Sequence, residues 1–415
     1  MPTCELPIDL VYLYVNNGDE EWVAKRKQYA IDRDNSTCRF RDNKELVYSL
    51  RSVEEYAPWI RNIYIVSNSS MPDWLNTDHP KLHVIEQDSI MPQDIQPCFN
   101  SNVIESFLYK IPGLSEIFLY ACDDMFFGNH VSPDFFVENG KPIVRMQNRE
   151  ITPAKHYFKA LLNAENAIAS HYGKNYALIP WHNIDVYSKT GMAACAEEFR
   201  KELEACSHHR LRTDKDLQRA LFHYYLLANN ACILKTYDSA SDQSPDVHYD
   251  YFYCSIHALV NNPSKFEALR KKPVCACVND SENTTELDAI QYPLFMRELF
   301  PKQSSFENYD VAYLSEKSAE ADKLKRQVAR LQYDLDCVHN SVSFRVGRAI
   351  TFIPRKLRGG VQCVKDHGAG YTVRRTLYHM GLWEDEEAPK GPENRPKLIS
   401  DVEHFIKGKR GKKKG

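Results

Sequence analysis

The stretch Glu116-Ile-Phe-Leu-Tyr-Ala-Cys-Asp-Asp-Met-Phe-Phe-Gly128 constrains this chain more than any other. A short apolar run, Ile117 to Ala121, runs into two adjacent carboxylates, Asp123 and Asp124. Short, aromatic-rich and bounded by polar residues, the run reads as a buried strand. Two carboxylates at the end of such a strand repel each other and lose hydration, so a positive partner is expected. Hard oxygen donors suit Mg²⁺ or Mn²⁺. In open α/β folds, ligands bind outside the carboxyl ends of the strands. A surface turn opened by two aspartates is the plainer reading of an isolated pair, and the surroundings weigh against it.

Strands alternating with helices surround the pair. Asp9 to Val15 is a β-branched and aromatic run closed by the turn signal Asn16-Asn17-Gly18-Asp19. Ile63 to Val66 and Leu82 to Ile85 read as further buried strands. Helices are expected over Glu20–Ala30 and Glu45–Tyr56. Another starts at Asn100-Ser101 and reaches Tyr109, and others span Ala154–Tyr172, Glu197–Ala205 and Asp216–Leu227. This alternation implies a mostly parallel sheet flanked by helices, an α/β catalytic domain over residues 1–310.

The remainder differs in composition. Leu324, Val328, Leu331, Leu335, Val338 and Val342 follow a 4-3-4-3-4 spacing, a short coiled-coil seam within residues 314–342 that could pair copies of the chain. A helix packing on its own domain fits as well. From Ser341 to Gly415 there are 17 Lys/Arg against 8 Asp/Glu, in a chain whose formal net charge is -3. Residues 343–383, with Arg345, Arg348, Arg355, Lys356 and Arg358 among apolar neighbours, suit an anionic membrane surface; a solvated helix face is the alternative. Residues 384–415 read as a flexible basic tail. Bulk charge excludes a nucleic-acid binder. The twelve cysteines contain no Cys-x-x-Cys pair, so no zinc ribbon is indicated. No signal peptide or spanning run is read. A cytoplasmic enzyme, peripheral on the inner face of the plasma membrane, is the expectation.

Further polar groups accompany the acidic pair. Asp9 and Asp19 flank the first strand, placed for a nucleotide or sugar hydroxyl. Arg41, within Arg39-Phe-Arg-Asp-Asn43, offers a planar fork suited to phosphate. Asn100 and Glu105 belong to the helix just before the acidic strand. His182 follows Pro180-Trp181, and Arg210, Arg212, Asp214 and Asp216 crowd one short loop. Asn279-Asp280 sits in a polar segment. Singly each is weak, since a lone histidine is more often structural. Together they supply a metal site, phosphate-binding cations and a base titrating near neutrality.

In this order the motifs resemble the Stealth family of sugar-phosphate transferases. That family includes bacterial capsular polysaccharide phosphotransferases and the lysosomal-enzyme GlcNAc-1-phosphotransferase. The resemblance runs from Ile8–Asp19 through Arg39–Ser52, Ala57–Val66, Trp74–Asn76, Phe99–Glu105 and Ile111–Asp124. It continues over His182, Arg210–Asp216 and Phe222–Tyr225, and ends in Asn279-Asp280 and Phe300–Glu307. It implies a nucleotide-sugar-transferase-like (GT-A-like) fold. It also implies transfer of a hexose-1-phosphate from a nucleotide diphosphate sugar, such as UDP-GlcNAc, to a glycan or lipid-linked glycan hydroxyl. The family's site residues fall on Asp9, Glu105, Asp124, His182, Arg212 and Asp280. Tyr14 stands where the family usually has tryptophan, Asn16 where it often has aspartate, and Cys122 where it usually has asparagine.

The expected chemistry is attack on the β-phosphorus. Asp124, Asp280 and Asp123 hold Mg²⁺ or Mn²⁺, Arg212 and Arg210 neutralise charge, and His182 is the base. Glu105, Asp9, Asp19, Arg41, Asn100 and Asp216 orient substrate. A conventional metal-dependent glycosyltransferase, and a non-catalytic scaffold of a polysaccharide assembly complex, are the alternatives.

Overall fold

A computed structural model describes residues 6–30, 38, 41–148, 150–152, 156–238 and 250–341. It also describes residues 343, 361–362, 364–366, 368–371 and 373. Most of the basic segment 343–383, and all of the tail 384–415, fall outside the described residues. The chain divides into two compact units, Met1–Lys325 and Arg326–Gly415. The first carries every residue discussed as a site.

Twelve strands occur in chain order. They are β1 (Ile8–Leu13), β2 (Ile63–Ser67), β3 (Leu82–Glu86), β4 (Ile117–Ala121), β5 (Met125–Phe127) and β6 (Val137–Glu138). The others are β7 (Lys141–Asn148), β8 (Leu178–Pro180), β9 (Asp185–Ser188), β10 (Ile233–Asp238), β11 (Tyr251–Ser255) and β12 (Cys275–Asn279). The main sheet has the order β3-β2-β1-β4-β9. Its first four strands are parallel, and β9 runs antiparallel to β4. β1 and β4 read as near-continuous apolar runs because both faces of the sheet are covered. Leu10, Tyr12, Ile65 and Leu119 pack into one core, and Val11, Val66, Phe118 and Tyr120 into the other. Two smaller sheets, β10-β7-β6 with β8 beside β7, and β11-β12-β5, complete the unit.

The last of these sheets matters most for placement. β5 begins immediately after Asp124 and pairs antiparallel with β12, Met125 opposite Cys277. The Val278 amide donates to the Asp124 carbonyl at 3.0 Å. This pairing carries Asn279-Asp280 to the acidic pair across 155 residues of chain. β5 is pinned from above by the helix Glu45–Tyr56, where the Phe127 amide donates to Ser52 Oγ at 2.9 Å and Ser49 Oγ bonds the Met125 carbonyl. Gly128 ends β5 where only a hydrogen fits, since a Cβ there would lie 2.2 Å from the Pro273 carbonyl oxygen.

Several expected elements are shorter or divided. The helix expected over Asn100–Tyr109 is a helix at Ser101–Glu105 followed by a 3₁₀ turn at Leu108–Lys110. The one expected over Glu197–Ala205 is two helices, Lys189–Glu198 and Arg200–Ser207, meeting at Phe199. The helix expected from Asp216 starts at Ala220. The closing motif Phe300–Glu307 is a latch rather than part of a site. Buried Arg51, on the helix Glu45–Tyr56, donates from Nε and Nη2 to the two Glu307 oxygens at 2.7 Å each, and from Nη1 to the Phe300 carbonyl at 2.9 Å.

The helix Val311–Asn340 carries the expected seam. Leu324, Val328, Leu331, Leu335 and Val338 are each more than half exposed, and Val342 is outside the described residues. Among the described residues, no helix is long and apolar enough to cross a membrane.

Candidate active site

A cavity of about 300 Å³ opens at the carboxyl ends of β1 and β4. Both Tyr14 and Val15, just past β1, and Cys122, just past β4, line it. Six carboxylates also line it among the described residues: Asp42, Glu45, Glu105, Asp123, Asp124 and Asp280. They face two guanidiniums, Arg41 and Arg212, and the imidazole of His182. So much negative charge in one partly desolvated pocket would repel a diphosphate unless a cation enters with it.

The acidic pair shows that strain in its protonation. Burial, reinforced by neighbouring Asp124, pushes the Asp123 carboxyl up to about 7. Burial raises Asp124 to about 6, partly offset by a 2.9 Å hydrogen bond from Asn279 Nδ2 to its Oδ2. Asp124 Oδ1 is buried with no hydrogen-bond partner. Asp280 is held by the Ser281 amide at 2.7 Å, by Asn43 Nδ2 at 3.3 Å and by Arg41 at 3.6 Å. Glu45, fully buried, is pushed well above the carboxylate range by burial and then by Asp123, and it anchors the Asn43 amide and Nδ2. A cluster of oxygen donors with an unpartnered buried oxygen fits a hard divalent cation, with Asp123, Asp124 and Asp280 as the residues able to hold one.

His182 stands across from the pair. Burial first, then the positive charges of Arg219 and Arg212, lower its imidazole to about 4. It is therefore neutral at pH 7 and able to accept a proton. Its ring lies edge-on to Tyr157 and Tyr253, with centroids 6.1 and 6.0 Å away. Arg212 donates to Ser101 Oγ at 2.6 Å, at the start of the helix Ser101–Glu105. Glu105 ends that helix, accepting from the Tyr120 hydroxyl at 2.9 Å.

Arg219 is the cation that sequence reading missed. It is only 7% exposed. Its Nη2 donates to Asp185 Oδ2 at 2.9 Å, its Nη1 lies 3.7 Å from Glu105 Oε2, and its guanidinium sits 4.9 Å over the Tyr120 ring. Burial nevertheless raises Asp185 to about 6. The available signal was its position just before Ala220–Ala228, an almost wholly buried helix, where an arginine must find carboxylates. Glu45 was missed as well, although it stands two residues past the motif Arg39–Asn43 that holds Arg41 and the carboxylate of Asp42.

Five expected site residues lie elsewhere. Asp9 is fully buried at the amino end of β1, bound by Arg61 at 2.8 and 2.6 Å and by the Ser115 amide at 2.7 Å. Leu13, at the end of β1, is the first strand residue to line the cavity, so four residues of strand put Asp9 roughly 13 Å away from it. Asp19 caps the helix Glu20–Lys27, accepting from the Trp22 amide at 3.0 Å and the Ser70 amide at 2.6 Å. It borders a recess with Trp22 and Phe99, two residues that also line the main cavity, while Asp19 itself does not. Asn100 and Asp216 are buried against each other at 2.8 Å, and Asp216 also takes Thr213 and His209. Arg210 donates to the Gln96 and Pro97 carbonyls at 2.6 and 2.9 Å. These three clamp the loop that carries Arg212 and do not line the cavity. Buried polar groups of this kind spend their hydrogen bonds on one another, leaving none for substrate.

The family model of Stealth protein conserved region 2 matches residues 39–144. The chain is 30% identical over 338 residues to the exopolysaccharide phosphotransferase cps2G of Lactiplantibacillus plantarum, covering 72% of this chain and 96% of that protein. It is 30% identical over 314 residues to the capsular polysaccharide phosphotransferase SacB of Neisseria meningitidis serogroup A, covering 72% of this chain and 57% of that protein. Among solved structures it is similar to the galactosyltransferase LgtC in complex with donor and acceptor sugar analogues, with 10% identity and a TM-score of 0.36 over 72% of this chain and 97% of that one. A likeness that distant carries no argument.

Proposed function

The chain belongs to the Stealth family of polysaccharide phosphotransferases, and on that premise we propose that it transfers a hexose-1-phosphate from a nucleotide diphosphate sugar, such as UDP-GlcNAc, to a glycan hydroxyl in capsular or exopolysaccharide synthesis. The observation that carries this reading is the cavity itself, where six carboxylates crowd beside a neutral histidine at the carboxyl ends of parallel strands. In our reading the fold is GT-A-like, supported by the strand order β3-β2-β1-β4 with an acidic pair directly after β4.

Asp123, Asp124 and Asp280 are the residues we assign to Mg²⁺ or Mn²⁺, which when bound would neutralise the diphosphate. His182 accepts the proton of the acceptor hydroxyl as that oxygen bonds to the β-phosphorus. The bond from the β-phosphorus to the bridging oxygen breaks, and nucleoside monophosphate leaves. Arg212 and Arg41 balance charge on the transferred phosphate, and Glu105, held by Tyr120 and Arg219, orients sugar hydroxyls. Peripheral attachment to an anionic membrane through the basic stretch after Ser341, and pairing of copies through 324–342, belong to the same proposal. Deleting residues 341–415 should then release the protein from anionic liposomes.

The test is ³¹P NMR of the protein with Mg²⁺, a panel of UDP- and GDP-sugars and a glycan acceptor. Nucleoside monophosphate with a new phosphodiester signal is expected. Nucleoside diphosphate instead would make the protein a conventional glycosyltransferase. Asp124→Asn and Arg212→Ala should each lower turnover at least about a hundredfold with the fold intact; a near-normal rate in either would overturn the assignment.

A further inference from the structure

Asp124, His182 and Cys277 offer a carboxylate oxygen, an imidazole nitrogen and a sulfur that all lie within 4.8 Å of one another. They come from three separate places: the turn after β4, the loop between β8 and β9, and the middle of β12. Asp124, nine-tenths buried, has an unpartnered oxygen, and buried His182 Nδ1 also lacks a partner. An unmet buried polar atom is costly, so this corner of the cavity is held ready for something that binds both.

The donor types say what that is. A carboxylate alone prefers hard ions, but imidazole and thiolate shift preference toward borderline-soft ones. Zinc bonds of about 2.0–2.3 Å to oxygen, nitrogen and sulfur place tetrahedral donors roughly 3.3–3.8 Å apart. Moving the three inward by about 1 Å would reach that spacing. Three protein donors leave a fourth position, the arrangement of an open zinc site.

We propose that Asp124, His182 and Cys277 form a site for a borderline-soft divalent ion of the Zn²⁺ class. Its donor set differs from the all-oxygen group of Asp123, Asp124 and Asp280. As the ion binds, Cys277 loses its proton to solvent and His182 donates its lone pair to the ion. Zn²⁺ therefore removes the base and inhibits Mg²⁺-supported transfer. The inhibition rests on the proposed role of His182; the binding does not.

Binding is read without substrate. The full-length protein, stripped with chelator and desalted, is titrated with Co²⁺. A sulfur-to-cobalt charge-transfer band in the near ultraviolet, with intense visible bands of tetrahedral cobalt, is expected, and Zn²⁺ should displace it. Cys277→Ser should abolish the charge-transfer band, and His182→Ala, which spares the fully buried strand, should weaken Zn²⁺ binding at least tenfold. Cys122→Ser should keep the band. No charge-transfer band in the wild-type protein, or its persistence in Cys277→Ser, or its loss only in Cys122→Ser, overturns the site. With turnover established, Zn²⁺ inhibition should fall at least tenfold in Cys277→Ser. Equal inhibition of both proteins would show that this site is not the inhibitory one.

Discussion

Replacing Arg219 with methionine keeps roughly the volume of the side chain and removes its charge. The guanidinium is 7% exposed and meets Asp185 at 2.9 Å and Glu105 at 3.7 Å. Without it two buried carboxylates face each other with no counter-ion. Breaking a buried pair in this way costs about 3–5 kcal/mol. The Asp185 carboxyl, already raised to about 6 by burial, would lose its counter-charge and retain its proton further above the unfolded value of about 4. A group raised in this sense stabilises the folded state at low pH and loses that contribution as pH rises through the raised value. The deficit should therefore be smallest near pH 5 and largest near pH 8. Adding Asp185→Asn removes one of the stranded charges, and a double-mutant cycle should return a coupling of about 1–3 kcal/mol. The assay is urea unfolding followed by tryptophan fluorescence. A second readout separates this from ordinary packing: Arg219 helps to hold the His182 imidazole down near 4. Its removal should move the acid limb of the pH profile of kcat/KM to higher pH. A stability loss below about 1 kcal/mol, no coupling with Asp185, or an acid limb that stays in place would each refute the reasoning.

The same physics extends to three other positions. Arg51→Leu should cost about 3–5 kcal/mol in thermal or urea unfolding, because it strands Glu307 without its two 2.7 Å bonds. Gly128→Ala should destabilise by about 1–3 kcal/mol or more, since its Cβ meets the Pro273 carbonyl oxygen at 2.2 Å. By displacing β5 against β12 it should also raise the Mg²⁺ concentration needed for half-maximal turnover. Asp288 is held down to about 2 as hydrogen bonds from His257 at 2.8 Å and from the Thr285 amide at 2.9 Å outweigh its burial. Its contribution is present above the ordinary aspartate value and lost as pH falls toward 2, so Asp288→Asn should cost roughly 1–2 kcal/mol at pH 6, shrinking toward zero near pH 2 in denaturant titrations.

The readable part of this protein was local. Apolar runs at Ile8–Leu13, Ile63–Ser67 and Ile117–Ala121 declare strands covered on both faces, because a strand in the middle of a parallel sheet has no solvated face to mark with polar residues. The acidic pair after β4 announces a site because charge at the end of such a strand needs a partner. Arg210 and Asp216 show where pattern misleads. A dense run of charged residues reads the same whether it faces a ligand or, as here, ties its own loop together. Asp9 misled for a related reason: a carboxylate beside a strand carries no mark of whether its needs are met by Arg61 and Ser115.

Sequence by itself determined the periodicities, the four strands at Ile8–Leu13, Ile63–Ser67, Leu82–Glu86 and Ile117–Ala121, and the presence of more acid than base near the central strand. These follow from side-chain shape, charge and spacing within a few residues. Tertiary structure alone decided that β12 pairs with β5 and so brings Asp280 to Asp124, that Arg219 reaches Glu105 and Asp185 beneath the cavity, and that Cys277 joins His182. Those choices span more than 150 residues of chain, as between Asn279 and Asp124, 155 apart. They are set by close packing and by the demand that each buried charge find a counter-charge, wherever in the chain it lies.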